Sequence, residues 1–64
     1  MEHPHISMVP MRASFVEFYL IKGNATWAAA QAGYSSASAY SQGSRLLKDD
    51  EIRAALTRRR AEMA

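Results

Sequence analysis

The stretch Gly23-Asn24-Ala25-Thr26-Trp27-Ala28-Ala29-Ala30-Gln31-Ala32-Gly33-Tyr34-Ser35-Ser36-Ala37-Ser38-Ala39-Tyr40-Ser41-Gln42-Gly43-Ser44-Arg45-Leu46-Leu47-Lys48 reads as a short alanine-rich helix, a glycine turn and a second helix. Two helices that cross closely over a tight turn need small residues at their contact, and Ala28, Ala29, Ala32 and Gly33 supply them. The spacing is that of a helix-turn-helix. Asn24 stands where its side-chain oxygen can accept a backbone N–H from the first turn of a helix over Ala25 to Ala32. Gly33 turns the chain, Tyr34 is placed to drop its ring between the helices, and Ser35 or Ser36 is expected to cap the helix that follows.

Upstream, a helix is expected from Pro10 or Met11 to Lys22, because proline suits a first turn and Gly23 can adopt the left-handed stop. Phe15, Val16, Tyr19 and Leu20 fall on one face of it and form the expected core stripe. On the helix after Gly33, Ala39, Tyr40, Gly43, Leu46 and Leu47 share the side expected to face the core, with Gly43 admitting a close neighbour. The opposite side presents Ser38, Ser41, Arg45 and Lys48, with Gln42 on its flank. Asp49 or Asp50 is expected to cap a last helix in which Ile52, Ala55 and Leu56 continue the apolar stripe, while Arg58, Arg59 and Arg60 suit its C-terminal end. The chain stops at Ala64 without a glycine or proline, so this helix is expected to continue in a longer protein. Residues 1–10, with both prolines and both histidines of the chain, read as a flexible arm and 11–64 as one domain. The fold class is all-α, a small bundle of about four helices.

Composition narrows the function. A chain of 64 residues buries only a modest share of its surface, and without cysteine neither a disulfide nor a thiolate metal site can staple it. A formal charge of +2 and a pI near 9.4 permit nucleic acid as a partner without demanding it. No apolar run approaches the roughly 20 residues of a membrane helix, and the N-terminus lacks the pattern of a signal peptide, so a soluble intracellular protein is expected. His3 and His5 have no further ligands near them in sequence and read as part of the solvated arm rather than a metal site. No arrangement of nucleophile, base and acid and no phosphate-cradling glycine loop is present, so neither an enzyme nor a cofactor is expected.

Phe15-Val16, Tyr19-Leu20, Gly23-Asn24-Ala25-Thr26, Ala28-Ala29, Ala32-Gly33-Tyr34-Ser35 and Gly43-Ser44-Arg45-Leu46-Leu47 together resemble the N-terminal domain of bacteriophage terminase small subunits. The resemblance runs from Phe15 to about Leu56. It implies a DNA-binding domain that recognises double-stranded viral DNA at the start of genome packaging, in the cytoplasm of the infected bacterial host. It further implies a ring-shaped homo-oligomer in the intact protein and regulation of a terminase large subunit carrying the ATPase and nuclease. Many relatives carry proline where this chain has Ser36, so the helix after the turn relies on serine capping. The longer relatives add a central oligomerisation region, so ring formation by this chain alone is not expected.

On this reading the candidate DNA-binding residues are Ser35, Ser36, Ser38, Ser41, Gln42, Arg45 and Lys48 around the second helix of the motif. Lys22, Asn24 and Thr26 join them at the start of the first. Arginine can fork onto guanine or clamp phosphate, glutamine can address adenine, and serine can contact phosphate or base edges. Capping alone also accounts for Asn24, and Lys22 or Arg12 could serve as plain surface charge. Phe18, Ile21 and Trp27 point away from the expected core face. They form either a protein interface or, with a shifted helix phase, part of the core. Two other functions stay open: a module that docks the large or sister subunits with little DNA binding, and a helix-turn-helix transcription regulator.

Overall fold

The structure, a computed structural model, describes residues 10–64. The arm expected over 1–10, with His3 and His5, therefore lies outside the described residues except for Pro10, which opens the first helix. Four helices follow in order: α1 (Pro10–Lys22), α2 (Ala25–Ala32), α3 (Ala39–Lys48) and α4 (Asp50–Met63). Their packing is cyclic. α2 lies against α1 and α3, and α4 closes the ring by resting on α3 and α1.

The breaks between helices follow from local chemistry. Gly23 takes φ +70° and ends α1 with its N–H donating to the Tyr19 carbonyl at 2.7 Å, a left-handed conformation that a side chain would disfavour. One residue later the Trp27 N–H donates to Asn24 Oδ1 at 2.9 Å, which starts α2 at the expected place. Gly33, at φ +116°, stops α2, and the Tyr34 N–H reaches back to the Ala29 carbonyl at 3.1 Å. Asp49, rather than Asp50, caps α4: its Oδ1 accepts from the N–H groups of Glu51 at 2.8 Å and Ile52 at 3.2 Å.

The core contains Phe15, Val16, Ala28, Ala29, Ala39, Leu46, Ile52 and Leu56. Phe15, fully buried, is its largest member, and its ring stacks on Tyr19 with centroids 5.8 Å apart. Burying such a side chain contributes on the order of 1.5–3 kcal/mol. Ala28 and Ala29 are equally buried, and their smallness lets α2 sit between two neighbours at once. The closest approach is at Gly43. A Cβ built there would lie 2.6 Å from the carbonyl oxygen of Ala25 and 2.8 Å from its carbon, so the first turn of α2 rests directly on the backbone of α3.

Three expectations need correction. The helix after the turn begins at Ala39, not immediately after Ser35 or Ser36. Ser35 instead caps a separate turn over residues 36–38: the Ser38 N–H donates to its carbonyl at 3.0 Å and its Oγ at 3.3 Å, while Ser38 itself makes no side-chain cap to α3. Tyr40 is 76 % exposed rather than part of the core. Gly43 pulls α3 so close to α2 that the buried arc centres on Ala39, Gly43 and Leu46, and Tyr40, roughly 100° round from Ala39, falls outside it. Phe18 and Trp27, expected to point outward, are half-buried and pack on the edge of the core, their rings meeting edge-to-face at 5.7 Å; only Ile21 of that trio stays open to solvent, at 68 %.

Two polar clasps join α4 to the rest. Arg12 reaches from α1 to Asp49 Oδ1 at 3.2 Å and Glu51 Oε1 at 3.1 Å. Arg59 forks onto Glu17 through Nε at 2.7 Å and Nη2 at 3.0 Å, and its remaining nitrogen Nη1 donates to Glu62 at 2.6 Å. A two-point arginine–carboxylate contact fixes direction as well as distance, so this clasp sets the rotation of α4 against α1.

Two stability measurements follow. Gly43→Ala gains about 1 kcal/mol of helix propensity, but the added methyl meets backbone that side-chain rotation cannot clear. The variant should unfold at a temperature lower by several degrees or more; an equal or higher unfolding temperature would mean that α2 and α3 separate freely. The second concerns pH. The Ile52 N–H and then Arg12 hold the Asp49 carboxyl below its ordinary range, and Arg59 does the same for Glu17. Both are depressed in the folded state, so their contribution is present above the unfolded-state values and disappears as pH falls through the folded ones. Thermal stability should therefore decline between about pH 5 and pH 2, and Glu17→Gln should make that decline shallower.

Candidate nucleic-acid interface

The charges of this chain are segregated. Residues 18–48 hold three cations and no acid, a charge of +3, which leaves −1 for the remainder of the total of +2. All the described carboxylates lie on α1, at the α3–α4 junction or on α4. There Arg12 and Arg59 engage Asp49, Glu51, Glu17 and Glu62, and those carboxylates raise the pKa of both guanidinium groups above the ordinary arginine value. A cation held between two carboxylates has little field left for a distant anion. Among the described residues no carboxylate pairs with Lys22, Arg45 or Lys48, all of them exposed; the same holds for Arg53, Arg58 and Arg60, but those share α4 with carboxylates.

The exposed face of α3 is built by its helical period. With Ala39, Gly43 and Leu46 turned inward, Ser41, Arg45 and Lys48 face solvent and Gln42 sits half-buried on the flank. Ser35 and Ser36 are exposed in the connection that leads into this face. The serines do not all have the same capacity. Ser41 Oγ donates to the Ser38 carbonyl at 3.2 Å, and the hydroxyls of Ser35 and Ser38 share a hydrogen bond at 2.9 Å. A hydroxyl has a single donor, so Ser41 and one of the pair Ser35 and Ser38 have theirs committed to shaping the turn. Arg45, Lys48, Gln42 and Ser36 make no side-chain hydrogen bond among the described residues, and their donors are available to a phosphate or a base edge.

The first turn of α2, where the other expected sites lie, rests through Ala25 on Gly43 and so on the side of α3 turned away from Ser41, Arg45 and Lys48. Thr26 is exposed there, and Asn24, also exposed, has its oxygen engaged in the cap. Lys22 turns its ammonium over the Trp27 ring, 4.3 Å from the centroid, which ties the end of α1 to α2 and holds this cation near the crossing. Lys22, Asn24 and Thr26 thus lie around the start of α2, Ser35 and Ser36 in the connection to α3, and Ser41, Arg45 and Lys48 on the outer face of α3 with Gln42 on its flank. Ser38 is half-buried and serves the turn.

Arg58 and Arg60 are also exposed, but on α4, with Arg59 between them turned back to Glu17. The positive run in the sequence is therefore split in three dimensions. The acid-free stretch was a legible signal in the sequence, and counting carboxylates by segment would have found it. Among the described residues no group of histidine, cysteine, aspartate or glutamate is placed to hold a metal ion, and no helix is long and apolar enough to cross a membrane.

The family model described as terminase small subunit matches residues 10–64 of this chain. No curated protein and no solved structure matches it.

Proposed function

The chain belongs to the terminase small subunit family and so to phage DNA packaging, and from that premise we propose that it is a DNA-binding domain of the helix-turn-helix type whose α3 lies against the duplex. The observation that carries the reading is the acid-free α2–α3 unit, on whose outer face Arg45 and Lys48 have no carboxylate partner among the described residues. Phosphate attracts any free cation. Here the fold ties up Arg12 and Arg59 and leaves the other arginines of α4 among carboxylates, whereas Lys22, Arg45 and Lys48 stand in a stretch that holds none, which matches a surface for a polyanion.

In this arrangement Arg45 and Lys48 hold the backbone or a guanine edge, and Gln42 and Ser36 offer further donors. Lys22 and Thr26 meet flanking phosphates at the start of α2. The duplex is viral DNA, the setting is the cytoplasm of the infected bacterium, and the domain does no chemistry itself. Cutting and ATP hydrolysis belong to the large subunit, which this subunit regulates by bringing it to the packaging site. Several copies in the intact protein would multiply a modest single-domain affinity.

A second role has an observation of its own. Ile21, exposed next to the half-buried Phe18 and Trp27, leaves an apolar spot at the end of α1. This spot suits contact with a sister or large subunit.

Titration of the chain with duplex DNA at several salt concentrations tests the first role. Arg45→Ala combined with Lys48→Ala should weaken binding and reduce the salt slope by roughly one to two units, as two lost phosphate contacts release fewer counterions. An unchanged slope would take α3 out of the interface. For the second role, Ile21→Lys should leave thermal stability within about 0.5 kcal/mol but abolish any self-association or large-subunit binding seen by sedimentation; retained association would remove Ile21 from the contact.

A further inference from the structure

Tyr40 is the most exposed large apolar side chain among the described residues, and it takes part in neither the core nor the ion pairs. It is absent from the core and from the side chains packed against the core, whereas Tyr19 and Tyr34 both rest on it. Its hydroxyl makes no hydrogen bond among the described residues. A serine or lysine would serve solubility better at this position, because the bare ring keeps apolar surface in water.

Its place on α3 suggests what the ring meets. At about 100° per residue, Tyr40, Ser44, Lys48, Ser41 and Arg45 fall in that order within an arc of roughly 140°. This is the arc that contains Arg45 and Lys48, which no carboxylate among the described residues engages. Tyr40 is the second residue of α3, at the end of a recognition helix that approaches base edges, while Arg45 and Lys48 sit one and two turns further along. The only apolar group that base pairs present in the major groove is the C5-methyl of thymine. The sugar C–H groups are the other apolar surface of a duplex, but they are the same at every base pair, so only the methyl can give the ring a base preference.

We propose that Tyr40 reads thymine, its ring packing on C5-methyl groups in the major groove. The proposal rests on the DNA-binding reading above and adds a source of base preference that the cations cannot supply. A neutral ring displaces no counterion, so its contribution has a different salt signature from theirs.

The test compares an alternating adenine–thymine duplex with the same duplex carrying uracil for thymine, a change that removes only the methyl groups. Binding of the 64-residue chain is followed at low salt by NMR, which registers weak complexes. The parent should bind the thymine duplex at least about fourfold more tightly, the worth of burying one methyl group. Tyr40→Ala should bind both duplexes equally with an unaltered salt slope, and Tyr40→Phe, which keeps the ring, should retain the preference. Because Tyr40 is exposed, the variants should unfold at the parent's temperature, which excludes misfolding as the cause. Equal binding of both duplexes by the parent, or a preference that survives Tyr40→Ala, overturns the thymine proposal and leaves α3 as a DNA-binding helix. Loss of the preference in Tyr40→Phe assigns the contact to the hydroxyl and overturns it as well. A parent that binds neither duplex brings down both readings.

Discussion

The contact between Gly43 and the backbone of Ala25 governs the geometry of this small domain. With no side chain at Gly43, α3 approaches the first turn of α2 to a distance that a single methyl group would forbid. Ala28 and Ala29 extend the same logic on the side of α1, so α2 is wedged between two helices through residues too small to hold them apart. A chain of this size has little apolar area to bury, and close backbone approach raises the contact made by each residue it has. The same contact sets the phase of α3, and through it which residues face the core and which face water.

The second organising feature is the division of charge. Carboxylates are confined to α1, the α3–α4 junction and α4, where they join α4 to α1 through Arg12 and Arg59. Each exposed ion pair is a modest contributor, but together they place the fourth helix and occupy Arg12 and Arg59. The α2–α3 unit is left without acids, with cations that nothing among the described residues neutralises. One arrangement thus serves assembly of the fold and leaves the outer face of α3 positive.

Much of this was legible in the residues. The glycines at 23 and 33, the Asn24 cap and the alternation of small and apolar positions located the helices, because these depend on neighbours a few residues away. The side chain of Tyr40 was misplaced for the opposite reason. It lies at the edge of the apolar arc of α3, and whether an edge residue is covered depends on how closely the next helix approaches. Phe18 and Trp27 were judged by helical phase alone, yet each shelters the other across two helices, a contact between residues that no local period reports. The run Arg58-Arg59-Arg60 looked uniform in sequence and is not: Glu17, far away along the chain, claims the central arginine.

Sequence by itself determined the all-α class, the ends of α1 and α2 at Gly23 and Gly33, the smallness of the α2 contact and the absence of acids between residues 18 and 48, since each follows from residue type and short-range backbone preference. Only the tertiary structure decided which cations are free, which serine hydroxyls are already engaged, and which aromatic rings are covered. Those outcomes depend on distances between helices, set here by the missing side chain of Gly43 and by arginines reaching across from one helix to another.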